Sequence, residues 1–382
     1  MGLFEEKHFK TRLEKIRTAM QVENLDGLLV YSWKRGQVRY VSGYHPNYVA
    51  NVAVVVIPVS ARPAMWIRFA FDLERAQKQS WIEEIFASGN MNRLALDTAT
   101  AIRERISTVN RIGLVTGDGM MEEMPRTFFQ TIKDELHTTD FVEAEHILQE
   151  IREIKSKTEF EALRHSASVA DAGFKAALEL LEPGCNEFEL VGTVEGTIRK
   201  QGCGDHLVVI SSRGIADLIR PPQDRTFQAG DNVILEAAVE KNGYWVQAAQ
   251  TFFIGDVNQK QAGIYQATYQ AYRAGAAAAK PGNTCADIAT AAKTSLEVAG
   301  YGDYIEQDYG HGIGLDLPEP PRIELDNHTL IKPGMVLVIH PALRVPGVGG
   351  AFIGGTVLIT ETGPELLHKI RSTPKIIERR QK

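Results

Sequence analysis

The sequence AGDNVILE at residues 229–236 has the same pattern as PGMVLVIH at residues 333–340. This pair of segments decides the fold of the second half of the chain. Each segment has a glycine turn, then an aliphatic run of strand length, and then one polar side chain, Glu236 or His340. Such a run after a glycine turn predicts a buried strand. We expect two equivalent strands that place a carboxylate and an imidazole at matching points.

A second match lies before each of these strands. Pro183-Gly184 opens a predicted helix that closes in QGCGD at residues 201–205, and Pro281-Gly282 opens one that closes in AGYGD at residues 299–303. The order of helix, Gly-x-Gly-Asp and glycine-initiated strand therefore occurs twice. A duplicated unit of this kind predicts a pseudo-twofold repeat with a functional site between its copies.

The length of 382 residues exceeds one typical hydrophobic core and predicts two domains. Apolar and charged fractions of 44% and 24% are typical of a globular protein, and the net charge of −6 argues against nucleic acid or anionic lipid as the main partner. No apolar run is long enough to predict a membrane span. Three cysteines without C-x-x-C spacing argue against a disulfide framework, and with a charged N-terminus they predict a cytoplasmic protein.

The first 150 residues alternate helical and strand patterns, which predicts an α/β layer domain. The expected boundary lies near residues 145–155, where charged residues from Glu150 to Lys157 lead into the second half. The predicted domains are residues 1–150 and residues 151–382.

The motifs DGLL at residues 26–29, VRYVSGY at 38–44, EIKSKTE at 153–159, GHGIGL at 310–315, EPP at 319–321 and GTVLITE at 355–361 lie in both halves of the chain. Together they resemble motifs of the pita-bread fold family of methionine aminopeptidase, Xaa-Pro aminopeptidase, prolidase and creatinase. The resemblance implies an α/β (α+β) protein with a small ribonuclease H-like, creatinase-type N-terminal domain and a C-terminal pita-bread domain that contains the repeat. It also implies a homodimer.

The resemblance implies five ligands for two divalent metals in the peptidase members, namely two Asp, one His and two Glu. In this chain those positions fall on Glu236, Gln247, His311, His340 and Gly354. An amide and a missing side chain cannot offset the repulsion between two close cations. We therefore expect no dinuclear metallopeptidase centre and no cofactor.

Creatinase and ectoine hydrolase-like members imply that this fold can cleave a C–N bond without a metal. We predict a hydrolase of this kind, acting on a small carboxylate-bearing metabolite. His340 would be the base or nucleophile, since imidazole titrates near neutral pH, with Glu236 orienting it and His311 assisting proton transfer. Creatine itself is not expected, because Ile219, Ala249 and His340 replace the creatinase histidine and two glutamates.

Six further side chains are candidates for substrate binding. Gln247 would hold a substrate carbonyl, and Arg220 would hold a carboxylate through two hydrogen bonds. Arg68 is a second candidate cation, and Trp245, Tyr309 and Phe352 are candidates for the pocket wall.

Two alternatives stay open at this point. Glu236, His311 and His340 together have the composition of a single-metal centre, which would suit an Xaa-Pro aminopeptidase-like peptidase or a metal-dependent lyase or hydrolase. The other alternative is a non-catalytic binding protein on a degenerate peptidase scaffold.

Overall fold

The computed structural model describes residues 4–33, 36–46, 52–117, 123–212, 219–305 and 309–369, and the backbone of residues 375–377. The chain divides into two compact units, Met1–Glu153 and Ile154–Lys382.

The N-terminal unit is a six-stranded sheet with helices, in the strand order β4-β3-β2-β1-β5-β6. Its first strand pairs antiparallel with the second and parallel with the fifth. Every residue of the second strand is buried, as expected for an aliphatic run covered on both faces. The elements are α1 (Glu6–Val22), β1 (Gly27–Trp33), α2 (Gly36–Ser42), β2 (Val52–Pro58), β3 (Ala64–Ile67), α3 (Leu73–Gln79), β4 (Glu84–Ala87), α4 (Met91–Arg105), β5 (Arg111–Val115), α5 (Arg126–Glu135), β6 (Asp140–Glu143) and α6 (Glu145–Glu153).

The C-terminal unit is built on a nine-stranded sheet, whose main path is β11-β10-β12-β15-β9-β8-β7. A sixteenth strand pairs with β15, a seventeenth pairs with β9, and β13 and β14 form a separate hairpin. The elements are α7 (Lys157–Leu180), α8 (Glu187–Lys200), β7 (Asp205–Ser211), β8 (Asn232–Lys241), β9 (Tyr244–Ile254), α9 (Gln259–Ala278), α10 (Cys285–Val298), β10 (Gly310–Gly312), β11 (Glu319–Arg322), β12 (Val336–Ile339), β13 (Ala342–Val345), β14 (Gly349–Phe352), β15 (Gly354–Thr360), β16 (Gly363–Leu366) and β17 (Lys375–Ile377).

The repeat that the sequence predicts is present in the backbone hydrogen bonds. The N–H of Gly184 donates to the carbonyl of Phe227, and the N–H of Gly282 donates to the carbonyl of Ile331. Helices α8 and α10 each begin three residues after these glycines and each run for 14 residues. The pseudo-twofold architecture is therefore confirmed, together with the mixed α/β fold.

The two copies differ in how their strands are connected. In the first copy the two-residue turn Asn242-Gly243 joins β8 directly to β9, as the Asn-Gly dipeptide favours. In the second copy the β13–β14 hairpin is inserted between β12 and β15. The halves of the sheet meet where β9 pairs with β15, through Ala249 opposite Gly354 and Ala248 opposite Gly355.

The described part of the chain contains no helix that is long and apolar enough to cross a membrane. Cys185, Cys203 and Cys285 are buried in the C-terminal unit.

Gly282→Ala should lower the free energy of unfolding by about 1–2 kcal/mol, because Gly282 has a φ of +91° that a side chain with a Cβ rarely adopts. Gly184→Ala should do the same, since Gly184 has the matching φ of +97° in the first copy. Urea unfolding measures both. Gly192→Ala, in the exposed middle of α8, is the control and should raise stability by about 0.5–1 kcal/mol. Unchanged stability in both turn variants would contradict the prediction.

Candidate active site

A buried carboxyl and a buried amide face the same side of the sheet on neighbouring strands. Glu236 on β8 lies opposite Ala249, and Gln247 on β9 lies opposite Ala238, so the two side chains are diagonal neighbours. The Nε2 group of Gln247 donates a hydrogen bond to Oε1 of Glu236. Burial raises the pKa of Glu236 to about 7, although the hydrogen bond from Gln247 opposes this. In the described ranges no cationic side chain is paired with Glu236.

Two imidazoles lie together at the other half of the sheet. His311 is the middle residue of β10 and His340 follows β12 directly, and their ring centroids are 5.3 Å apart at an angle of 67°. Nδ1 of His311 lies 2.7 Å from the carbonyl oxygen of Gly312, so Nδ1 carries the proton of this hydrogen bond. Burial and the neighbouring His311 lower the pKa of His340 to about 3. His340 is therefore a neutral imidazole at physiological pH.

The loop that follows His311 is closed by a buried ion pair. Nζ of Lys155 lies 3.0 Å from Oε2 of Glu319, and both side chains are almost fully buried. The other carboxylate oxygen of Glu319 accepts from the backbone N–H of Asp316. Since Glu319 also pairs with Gly312 across the β10–β11 ladder, the ion pair fixes the backbone beside His311.

Gly354 stands where β15 approaches the end of β12 most closely. A Cβ added there would lie 2.1 Å from the carbonyl oxygen of Ile339 and 2.4 Å from Cα of His340. The backbone of His340 therefore occupies the space that any side chain at position 354 would need.

The structure brings some of the predicted site residues together and places others elsewhere. Phe352 packs edge-on against His340, with ring centroids 5.2 Å apart, as a wall residue should. Glu236 does not hydrogen-bond His340, so the predicted orienting pair is not formed in the part of the chain that the structure describes. The amide nitrogen of Gln247 was predicted to donate to a substrate carbonyl, but in the structure it donates to Glu236.

Four other predicted binding residues have different surroundings. Arg220 forms a salt bridge with the fully buried Glu187 through both of its terminal nitrogens. Tyr309 belongs to the large hydrophobic core of the C-terminal unit, and its carbonyl accepts from the backbone N–H of His340. The backbone N–H of Trp245 donates to the carbonyl oxygen of Gly314. Arg68 lies in the N-terminal unit, with its guanidinium 4.4 Å from the ring centre of Phe69.

A small apolar cluster lies beside His340, and as a group it was not predicted from the sequence. It contains residues from both copies of the repeat, which are Ile234, Ala249, Ala342 and Phe352, with Ile219 packed against them. Ile234 precedes Glu236 by two residues on β8, so the two-residue period of a strand places both side chains on one face. From this period the position of Ile234 beside Glu236 could have been predicted.

The fold and these polar groups define a pita-bread hydrolase with a creatinase-type N-terminal domain. Residues 161–361 match the metallopeptidase family M24, and residues 12–154 match the creatinase/prolidase N-terminal domain. The chain belongs to the metallopeptidase family M24.

Curated relatives and solved structures agree with this assignment over most of the chain. An Xaa-Pro dipeptidase from Pyrococcus horikoshii is 26% identical over 368 residues, which cover 94% of this chain and 97% of that protein. An Xaa-Pro dipeptidase from Pyrococcus furiosus is 30% identical over 66% of this chain and 73% of its own length. The crystal structure of the prolidase from Pyrococcus horikoshii is 25% identical, with a TM-score of 0.84 over 94% of this chain and 99% of that chain.

Two predictions from the sequence are wrong in the light of these matches. A metal-independent hydrolase of a small carboxylate-bearing metabolite is contradicted, because the chain belongs to a metallopeptidase family and a relative that aligns over 94% of it is an Xaa-Pro dipeptidase. The expectation of no cofactor is contradicted by membership in a family of metallopeptidases. The hydrolase class and the pita-bread family are confirmed.

The residues at the family's metal positions do not fit a pair of metals in this chain. Gln247 turns its amide nitrogen towards Glu236, and position 354 has no room for a carboxylate. Among the described residues no group of three or more His, Cys, Asp and Glu side chains converges as a metal site requires, so Glu236, His311 and His340 do not form the single-metal centre that their composition suggested. The family's chemistry and this donor set therefore disagree.

Gly354→Ala should lower the free energy of unfolding by about 1–3 kcal/mol, because the added Cβ meets backbone atoms that can move only if β12 and β15 separate. Thermal unfolding measures the change. Gly196→Ala, in open space on α8, is the control and should not destabilise the protein. A Gly354→Ala protein as stable as the wild type would show that the two strands can separate at little cost.

Proposed function

We propose that the protein is a hydrolase of short peptides, with Xaa-Pro dipeptides as its substrate class. The observation that carries the proposal is the match to an Xaa-Pro dipeptidase over 94% of this chain and 97% of that protein, which includes both domains. A match of this extent favours a shared substrate class more strongly than a match confined to one domain would.

The surroundings of His340 support the same substrate class. The apolar cluster of Ile234, Ala249, Ala342 and Phe352 lies beside the two imidazoles. A proline ring is small, apolar and free of N–H donors, so it suits a wall that offers no hydrogen-bond partner. His311, whose Nδ1 bonds the carbonyl oxygen of Gly312, is the imidazole that we assign to proton transfer beside such a ring, because the lowered pKa of His340 makes His340 a weak base.

Purified protein should release proline from Ala-Pro, and Ala-Ala should be a poorer substrate because it lacks the ring. The assay is run with and without added Mn²⁺, Co²⁺ or Zn²⁺, since the family consists of metallopeptidases. Metal content is determined on the same samples. Failure to release proline under every metal condition would contradict the proposal.

His311→Ala should lower kcat/KM for Ala-Pro at least about 100-fold, because it removes the group that we assign to proton transfer. The control is His137→Ala, which changes an exposed histidine of the N-terminal unit and should leave kcat/KM unchanged. Unchanged kcat/KM in the His311 variant, with an unaltered circular dichroism spectrum, would remove His311 from the proposed machinery.

We also propose that the protein works as a homodimer in the cytoplasm, in line with its creatinase-type N-terminal domain and its three buried cysteines. Sedimentation at micromolar concentration should give a dimer. A monomer under these conditions would contradict the dimer.

A further inference from the structure

Glu187 is a buried carboxylate whose hydrogen bonds join separate parts of the chain. It is the first residue of α8, and its side chain has no exposed surface. The carboxylate accepts from the hydroxyl of Ser212, from both terminal nitrogens of Arg220 and from the backbone N–H of Gln223. A buried carboxylate is stable only when a cation and several donors offset its loss of water. Because the chain itself supplies these donors, Glu187 holds residues 212, 220 and 223 together.

Arg220 is held both at its main chain and at its side chain. Its backbone N–H donates to the carbonyl of Ile210 on β7 at 3.0 Å, and its carbonyl accepts from the N–H of Ile210 at 2.8 Å. Its guanidinium binds Glu187 through two hydrogen bonds of 2.7 and 3.0 Å, one to each carboxylate oxygen. A pair with two parallel bonds fixes the orientation of a guanidinium as well as its distance. The backbone at Arg220 is therefore fixed relative to β7 and α8.

Ile219, the residue before Arg220, packs against the apolar cluster beside His340. The four buried members of that cluster lie on β8, β9, β13 and β14, whereas Ile219 lies outside the strands. Phe352 of the same cluster packs edge-on against His340. The place of Ile219 in this wall is therefore set by its neighbour Arg220 and, through Arg220, by Glu187.

We propose that Glu187 is a positioning residue for substrate selection, which acts through Arg220 to hold Ile219 in the apolar wall beside His340. The inference rests on the proposed function for its ligand, the proline ring of an Xaa-Pro dipeptide. The side chain of Ile219 enlarges the apolar surface that a proline ring can cover, and the methyl group of an alanine covers less of it. Glu187 therefore contributes to the choice between Ala-Pro and Ala-Ala without touching either peptide.

The selectivity ratio, which is kcat/KM for Ala-Pro divided by kcat/KM for Ala-Ala, measures this contribution. Glu187→Gln keeps the size of the side chain and removes the charge that Arg220 pairs with, and it should lower the ratio at least about fivefold. The loss should appear in KM for Ala-Pro, with kcat within about twofold of the wild type, because Ile219 contacts the ring and not the reacting bond. Assays are run with and without Mn²⁺. Where the peptides stay intact, calorimetry gives the ratio of their dissociation constants instead.

Two further variants test the route from Glu187 to the wall. Ile219→Ala removes the side chain itself and should lower the ratio by a similar factor, and adding Glu187→Gln to it should cause little further loss, because both changes remove one interaction. Arg220→Lys keeps the charge beside Glu187 without the two-bond geometry, and it should lower the ratio at least about threefold, also if Glu187→Gln does not fold. The matched control is Glu159→Gln, which changes a buried carboxylate in the first turn of α7 that accepts from Tyr244 and should leave the ratio unchanged.

The outcomes separate this inference from the proposed function. The expected pattern in the dissociation constants, without hydrolysis, supports the inference and contradicts the peptidase proposal. Hydrolysis of Ala-Pro with a ratio that Glu187→Gln and Arg220→Lys leave unchanged overturns the inference and leaves the proposed function standing. An equal fall of the ratio in Glu159→Gln, a loss confined to kcat, or a wild-type protein that binds neither peptide or prefers neither also overturns the inference.

Discussion

The join between β9 and β15 is the constraint on which the C-terminal unit depends. In the part of the chain that the structure describes, two residue pairs make it, and all four residues are alanine or glycine. A Cβ at Gly354 would strike the backbone at the end of β12, and one at Gly355 would lie 2.8 Å from the ring of His368. The two halves of the sheet can therefore come together only where side chains are almost absent, and the polar residues are displaced to either side of this seam.

This seam explains how the duplicated scaffold divides the site between its copies. The first copy supplies the carboxyl and amide groups of Glu236 and Gln247, and the second supplies the imidazole of His340. The strand order places β15 and β9 between β12 and β8, so Glu236 and His340 are equivalent in the repeat without being neighbours in the sheet. Residues that are equivalent by duplication thus approach from opposite sides, and each interacts with side chains of its own half. Glu236 accepts from Gln247, and His340 packs against His311 and Phe352.

The sequence is sufficient for the architecture and only partly sufficient for the site. The repeat could be predicted because the backbone contacts of Gly184 and Gly282 depend on local sequence that was kept in both copies. The pairing of Glu236 with Gln247 was also within reach, because the Asn242-Gly243 turn fixes the register of the hairpin and makes the two residues diagonal neighbours. The salt bridge between Arg220 and Glu187 could not be predicted, since nothing in the sequence indicates that two residues 33 positions apart share a buried contact. The same limit applies to the ion pair of Lys155 and Glu319, which joins residues 164 positions apart.

The β13–β14 hairpin is covalently part of the second copy, yet it docks on the first. Asn232 and Thr251, at the start of β8 and near the end of β9, bond the backbone of Gly350 and Phe352 through three hydrogen bonds. A change in the length or sequence of this hairpin would reshape the wall beside His340 while the helices and strands of the repeat stay as they are. It is therefore the segment through which divergence after gene duplication, or a directed-evolution experiment, could retune specificity with the least damage to the scaffold.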